Sequence, residues 1–183
     1  MVSAKHFKKG VKIRIGIKRG LIIYLTILVL SATSMLYSSS YSMEPPEKDI
    51  LILLSTFLMV VSLHPLFHLA TGTFFGVRFT HVSLNGPFKI QPTIRTEYST
   101  YLRLSKAQKS IFHLSGIIAT FLAILSGYFA AILSEAATAE LVLKIVLVVN
   151  IALEFSPPLL VKLGFENFKK SDFYRFWQVW KKG

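Results

Sequence analysis

The run ILILLSTFLMVVSLHPLFHLATG, Ile50 to Gly72, decides how the rest of the chain is read. It contains no Asp, Glu, Lys or Arg, and it is long enough to cross a hydrocarbon core, which takes about 20 helical residues. Three further apolar runs flank it: Gly20 to Leu36, Ile111 to Leu133 and Leu141 to Leu163. The expected fold class is therefore an all-α polytopic membrane protein with four transmembrane helices, at about residues 20–38, 50–72, 111–133 and 141–163. Basic residues precede the first run, but no small-x-small cleavage site stands close behind it, so it is read as a retained anchor.

Composition agrees. Hydrophobic residues make up 52% and charged residues 16%, against about 25% charged in an average soluble domain. Cysteine is absent, which excludes a disulfide framework, a thiolate metal site and a Cys nucleophile. The net charge of +12 invites a nucleic-acid reading. The placement of the charges argues otherwise. Of the 21 basic residues, all but Lys48 and Lys144 lie in three segments: 1–19, the loop at 77–109, and the stretch from Lys162 onward. The opposite loops carry Glu44, Glu47, Asp49, Glu135 and Glu140. The positive-inside rule then predicts four spans with both termini in the cytoplasm. The lipid bilayer is the expected partner and no nucleic acid is, since no recognition motif accompanies the charge.

Residues 1–19 are read as a basic cytoplasmic leader, and residues 20–163 as the membrane domain. In the 77–109 loop, VRFTHVSL and PFKIQPTI flank Asn85-Gly86, which predicts a small interfacial β-hairpin between helices two and three. Pro87 and Pro92 confine its second arm to an edge. Residues 164–183 form an amphipathic aromatic and basic tail, with Phe173, Phe176, Trp177 and Trp180 on one helical face. That face suits either the membrane interface or the protein core.

Ionisable groups inside a span are costly and point to function. His64 and His68 are four residues apart, so both rings share one helix face, a spacing that can grip one metal ion as in an H-E-x-x-H helix. The plain alternative is a polar packing pair. Glu154 lies in the last apolar run, with Asn150 one turn before it. Counted from the outer ends of their runs, Glu154 and His64 lie at matched depth, roughly 20 Å down at about 1.5 Å per residue. Glu154 is thus a candidate hydrogen-bond acceptor or base, or else a protonated or water-facing carboxyl. Pro157 and Pro158 break that run on its cytoplasmic side, an irregularity that needs protein or a wet cavity to cover it. Ser171-Asp172 has the look of a helix cap. His113 lies only about three residues into its own run and is set aside as a ligand on depth.

These pieces resemble the site-2 protease family of intramembrane zinc metalloproteases. HPLFH stands where the family carries H-E-x-x-H, and HLSGIIATFLA resembles its small-residue segment on the following helix. EFSPP stands at the family's N-x-x-P, and KSDFYRF resembles its segment bearing the third ligand. The resemblance covers roughly Ile50 to Phe176 and implies zinc held by His64, His68 and Asp172. The departures are specific. The family's catalytic Glu is Pro65 here, the Asn of N-x-x-P is Glu154, and the Gly after the Asp is Phe173. Loss of a positioned acid–base typically costs about a hundred- to ten-thousandfold in rate. The expected function is that of a non-proteolytic or weakly active relative, binding zinc and a transmembrane partner. The alternatives are an active metalloprotease with Glu154 as catalytic base, or an accessory subunit of a membrane complex.

Overall fold

A computed structural model describes residues 14–40, 43–85 and 91–181. In chain order it contains β1 (Arg14–Gly16), α1 (Ile17–Ser40), α2 (Pro45–Phe74), β2 (Phe79–Asn85), β3 (Gln91–Thr96), α3 (Tyr98–Leu102) and α4 (Lys106–Leu133). Then follow α5 (Ala137–Phe155), α6 (Pro157–Lys162), a 3₁₀ turn at Glu166–Lys170 and α7 (Asp172–Lys181). Among the described residues, α1, α2 and α4 are long and apolar enough to cross a membrane.

The fourth expected run does not form one helix. α5 stops at Phe155, and Pro157 and Pro158 open α6, where a missing N–H costs no hydrogen bond. The 19 residues of α5 carry Glu140, Lys144 and Glu154 spread along their length, so every stretch of it long enough to span a membrane holds three charged groups. Pro65, by contrast, leaves α2 uninterrupted over its 30 residues.

α2 is the central post, packed on α1 along one side and on α4 along another. The burial pattern inverts that of a soluble domain. Large apolar side chains face outward, among them Ile22, Val29, Leu54, Phe57, Ile118 and Phe129. Small and hydroxylic residues lie between the helices, including Ser55, Thr56, Ser62, Ala119, Thr120 and Ala123. Several buried hydroxyls are satisfied within their own helices: Thr56 Oγ1 donates to the Ile52 carbonyl at 2.8 Å, and Ser62 Oγ to that of Leu58 at 2.9 Å. Small side chains let helix backbones approach closely, the usual way of packing where burying apolar surface gives no advantage over lipid. Gly127 shows the tightness, since a Cβ there would collide with the Thr56 side chain.

Each end of the bundle is tied differently. At one end Ile52, Ala131, Ala136, Ala139 and Leu143 pack together. There Asp49 Oδ1 accepts from the Ala139 amide at 2.9 Å, capping α5 from another helix, and Lys48 Nζ donates to the Ser134 carbonyl at 2.9 Å. At the other end Tyr24, Leu69 and Val82 pack under a small sheet. That sheet has three strands in the order β1-β2-β3, both pairs antiparallel. The two expected arms are therefore joined by a third strand from residues 14–16, which the sequence reading assigns to the basic leader. β3, which carries Pro92, is an edge strand, and the expected turn from Gly86 onward lies outside the described residues. α4 starts at Lys106, so the connection from α2 is shorter than the 77–109 loop expected. A Ser105–Gln108 capping box sets that start.

Enlarging Gly127 tests the α2–α4 seam. Gly127→Ile is expected to destabilise the detergent-solubilised chain by about 1–3 kcal/mol, read as a lower unfolding midpoint. Phe129→Leu, on the exposed face two residues on, is expected to leave the midpoint nearly unchanged.

Candidate metal centre

The histidines come from two helices and the carboxylate from a third. His64 and His68 stand one turn apart on α2, and His113, Gly116 and Thr120 occupy one buried stripe of α4 at i, i+3 and i+7. Asp172 is the first residue of α7. Ser171 supplies the cap of that helix, its Oγ accepting from the Tyr174 amide at 3.2 Å. The Asp172 carboxylate is thereby left free to turn inward. Its Oδ2 lies 3.2 Å from His64 Nε2 and 3.1 Å from His68 Nε2, and its Oδ1 lies 3.1 Å from His113 Nδ1.

The far side of each ring fixes its chemistry. Thr120 Oγ1 donates to the Gly116 carbonyl at 3.1 Å, so its lone pair faces His64 Nδ1 at 3.0 Å and that nitrogen must carry a proton. His68 Nδ1 lies 2.9 Å from the Phe112 carbonyl and must also donate. In the neutral rings both Nε2 atoms are then bare lone pairs, aimed at a carboxylate oxygen. Three acceptors converging on one point repel unless a positive charge lies among them. Either each ring takes a second proton, or a cation does the work of both. The donor set suits a cation. His64, His68 and Asp172 each offer one ligand atom, all within 4.8 Å of one another. The 3.1 and 3.2 Å separations are close to the edge of a tetrahedron with bonds of about 2.0 Å. Locking of Nδ1 by a carbonyl or hydroxyl is how ligating imidazoles are normally held.

His113 plays another part. Its Nε2 lies 2.7 Å from the Tyr101 hydroxyl and its Nδ1 faces Asp172, so the chain Tyr101–His113–Asp172 orients the carboxylate. Burial pushes the Asp172 carboxyl up, but the hydrogen bond from His113, with the facing rings of His64 and His68, outweighs it and holds the group well below the ordinary carboxylate range. Asp172 is therefore an anion at neutral pH. Burial raises the Tyr101 hydroxyl and keeps it a phenol able to donate.

Gly116 makes the space. A Cβ there would run into His68 Nε2 and the His64 ring. His64 is the most open member, its side chain 33% exposed, so the cluster is accessible on that side. Glu154 is half-buried on α5 and feels the charges of both Asp172 and His64, yet it makes no hydrogen bond among the described residues and does not belong to the ligand cluster. Asn150 is partly buried on the same helix, its Oδ1 without a partner among the described residues. Pro65 is buried in α2 and Pro157 at the start of α6.

Tyr101 escapes the sequence reading, and so do three members of α4: His113, Gly116 and Thr120. His113 is set aside there because depth is counted from opposite ends of antiparallel helices. It stands seven residues after the start of α4, and His68 six residues before the end of α2, so both lie about 10 Å from the same end of the bundle. The i, i+3, i+7 stripe is the signal that would have grouped them.

No protein-family model, curated protein or solved structure matches the chain.

Two variants check the assembly. Gly116→Ala is expected to lower metal affinity at least tenfold by displacing the rings, and His113→Ala by about 10–100-fold by releasing Asp172. Competition with a chromogenic chelator measures both.

Proposed function

We propose that the chain is an integral membrane protein that holds zinc through His64, His68 and Asp172, a degenerate relative of the site-2 metalloproteases that binds a transmembrane partner without efficiently cutting it. The observation that carries this is the convergence of two imidazole Nε2 atoms and a carboxylate oxygen, with each ring held from behind through its Nδ1. Two neutral His and one carboxylate form a borderline-soft set suited to zinc, with a fourth position left open. When bound, zinc would supply Lewis acidity at that position. The chain's own residues do the rest. Thr120 and the Phe112 carbonyl fix the tautomers, and Tyr101 and His113 orient the carboxylate. Pro65 cannot accept a proton where the family carries its base, which supports binding over cleavage.

The four-span arrangement, with α5 as the fourth span, the sheet at the cytoplasmic surface and both termini inside, is part of this proposal. It rests on the basic clusters and on the outward-facing apolar surface. The absence of cysteine makes it simple to test. With Ser39→Cys and Lys181→Cys introduced singly, an impermeant maleimide is expected to label the first from outside intact cells and the second only after lysis. The opposite pattern reverses the topology.

Elemental analysis of the purified chain tests the metal. About one zinc per chain is expected, lost in His64→Ala and in Asp172→Asn. A zinc-free wild-type protein that cannot be loaded sinks the proposal and leaves a protonated His–Asp network.

One observation favours a second reading. Glu154 is half-buried on α5 and interacts electrostatically with Asp172 and His64. As catalytic base it would make the protein an active intramembrane protease. Cleavage of a helical substrate, unchanged by Glu154→Gln, eliminates that role.

A further inference from the structure

A groove of about 780 Å³ opens between α3, the first turns of α4, and α7. Its walls include Tyr101, Lys106, Lys109, Lys169, Arg175 and Gln178, and no acidic residue lines it. Lys169 is paired with Glu166. Lys106, Lys109 and Arg175 form no ion pair among the described residues. Lys106 Nζ donates to the Trp180 carbonyl at 3.2 Å and stands 5.1 Å from the Trp180 ring centre. Lys109 Nζ donates to the Leu102 carbonyl at 3.1 Å and stands 5.8 Å from the Tyr101 ring centre. Each ammonium has three donors, so each keeps capacity for another acceptor, and the Arg175 fork makes no hydrogen bond among the described residues.

Three unmatched cations around one concavity repel each other, and a multivalent anion relieves that repulsion. The donor chemistry, one guanidinium with two ammoniums, suits tetrahedral phosphate oxygens. The groove is also amphipathic. Leu102 and Val179 line it, and Leu102 and Trp180 are 52% and 58% exposed beside it. A soluble phosphate would leave that apolar wall bare, whereas a lipid would cover it with glycerol and acyl carbons.

We propose that this groove seats the phosphate monoester headgroup of an anionic membrane lipid, of which phosphatidic acid is the simplest example. The inference rests on the membrane placement of α4 argued above and is independent of zinc.

Trp177 and Trp180 are the chain's two tryptophans and both lie on α7, so intrinsic fluorescence reports the groove. The full chain in neutral-detergent micelles is titrated with dioctanoyl phosphatidic acid, with dioctanoyl phosphatidylcholine and with inorganic phosphate. A saturable change with phosphatidic acid alone is expected, weakened at least tenfold in the double variant Lys109→Gln, Arg175→Gln. The charge-matched variant Arg78→Gln, Lys162→Gln, outside the groove, is expected to bind as wild type. Equal response to phosphatidylcholine overturns the proposal. So does saturation by inorganic phosphate at the same concentration, which makes the ligand a soluble anion. Equal weakening in both double variants overturns it too, as diffuse attraction. Should the groove variant not fold, native mass spectrometry of the wild type decides: one retained phosphatidic acid supports the site, and an open-ended ladder of adducts rejects it. A chain that labels with the opposite pattern has failed the proposed orientation, whereas correct labelling without lipid saturation rejects the groove alone.

Discussion

A single carboxylate facing three imidazoles is the constraint around which the rest is arranged. Asp172 is paired with His64, His68 and His113 at 3.1–3.2 Å, and two of those contacts fall on one oxygen. Each ring is steadied from behind by a threonine hydroxyl, a backbone carbonyl or a phenol. A site fixed in this way has chosen its tautomers before anything binds. Such a site calls for positive charge at its centre, from protonated rings or from a metal ion.

The helices can bring these groups together only because their seam is made of small residues. Gly116 and Gly127 on α4 stand opposite the histidines and Thr56 of α2, and either position would clash with an added Cβ. The hydroxyls along the seam satisfy themselves against their own helices. Few polar demands therefore remain to compete with the cluster, and the large apolar side chains are released to the outer surface.

Much of the fold was legible in the sequence, for physical reasons that differ by element. The runs behind α1, α2 and α4 are long, nearly free of charge and bounded by basic residues, and length alone identifies such helices. The boundary at Phe155 was marked by Pro157 and Pro158. The strand at Arg14–Gly16 was not legible, because three residues among lysines carry no alternation; it forms since β2 offers it a free edge. The i, i+4 histidines announced themselves. That Asp172 lies within reach of them came from a family resemblance and not from spacing, since 104 residues separate it from His68 and no local pattern spans such a distance. His113 was missed by counting depth along each run separately, when two antiparallel helices share their depth from opposite ends.

The cluster joins two kinds of element. The imidazoles belong to long helices held along their length, whereas the carboxylate rides on a ten-residue helix reached through α6 and a 3₁₀ turn. Sliding that short helix by a single turn, about 5.4 Å, carries the carboxylate out of contact with all three rings while the long helices keep every one of their glycine and serine contacts. The centre is built like a clasp, its imidazoles on long helices and its carboxylate on a short one.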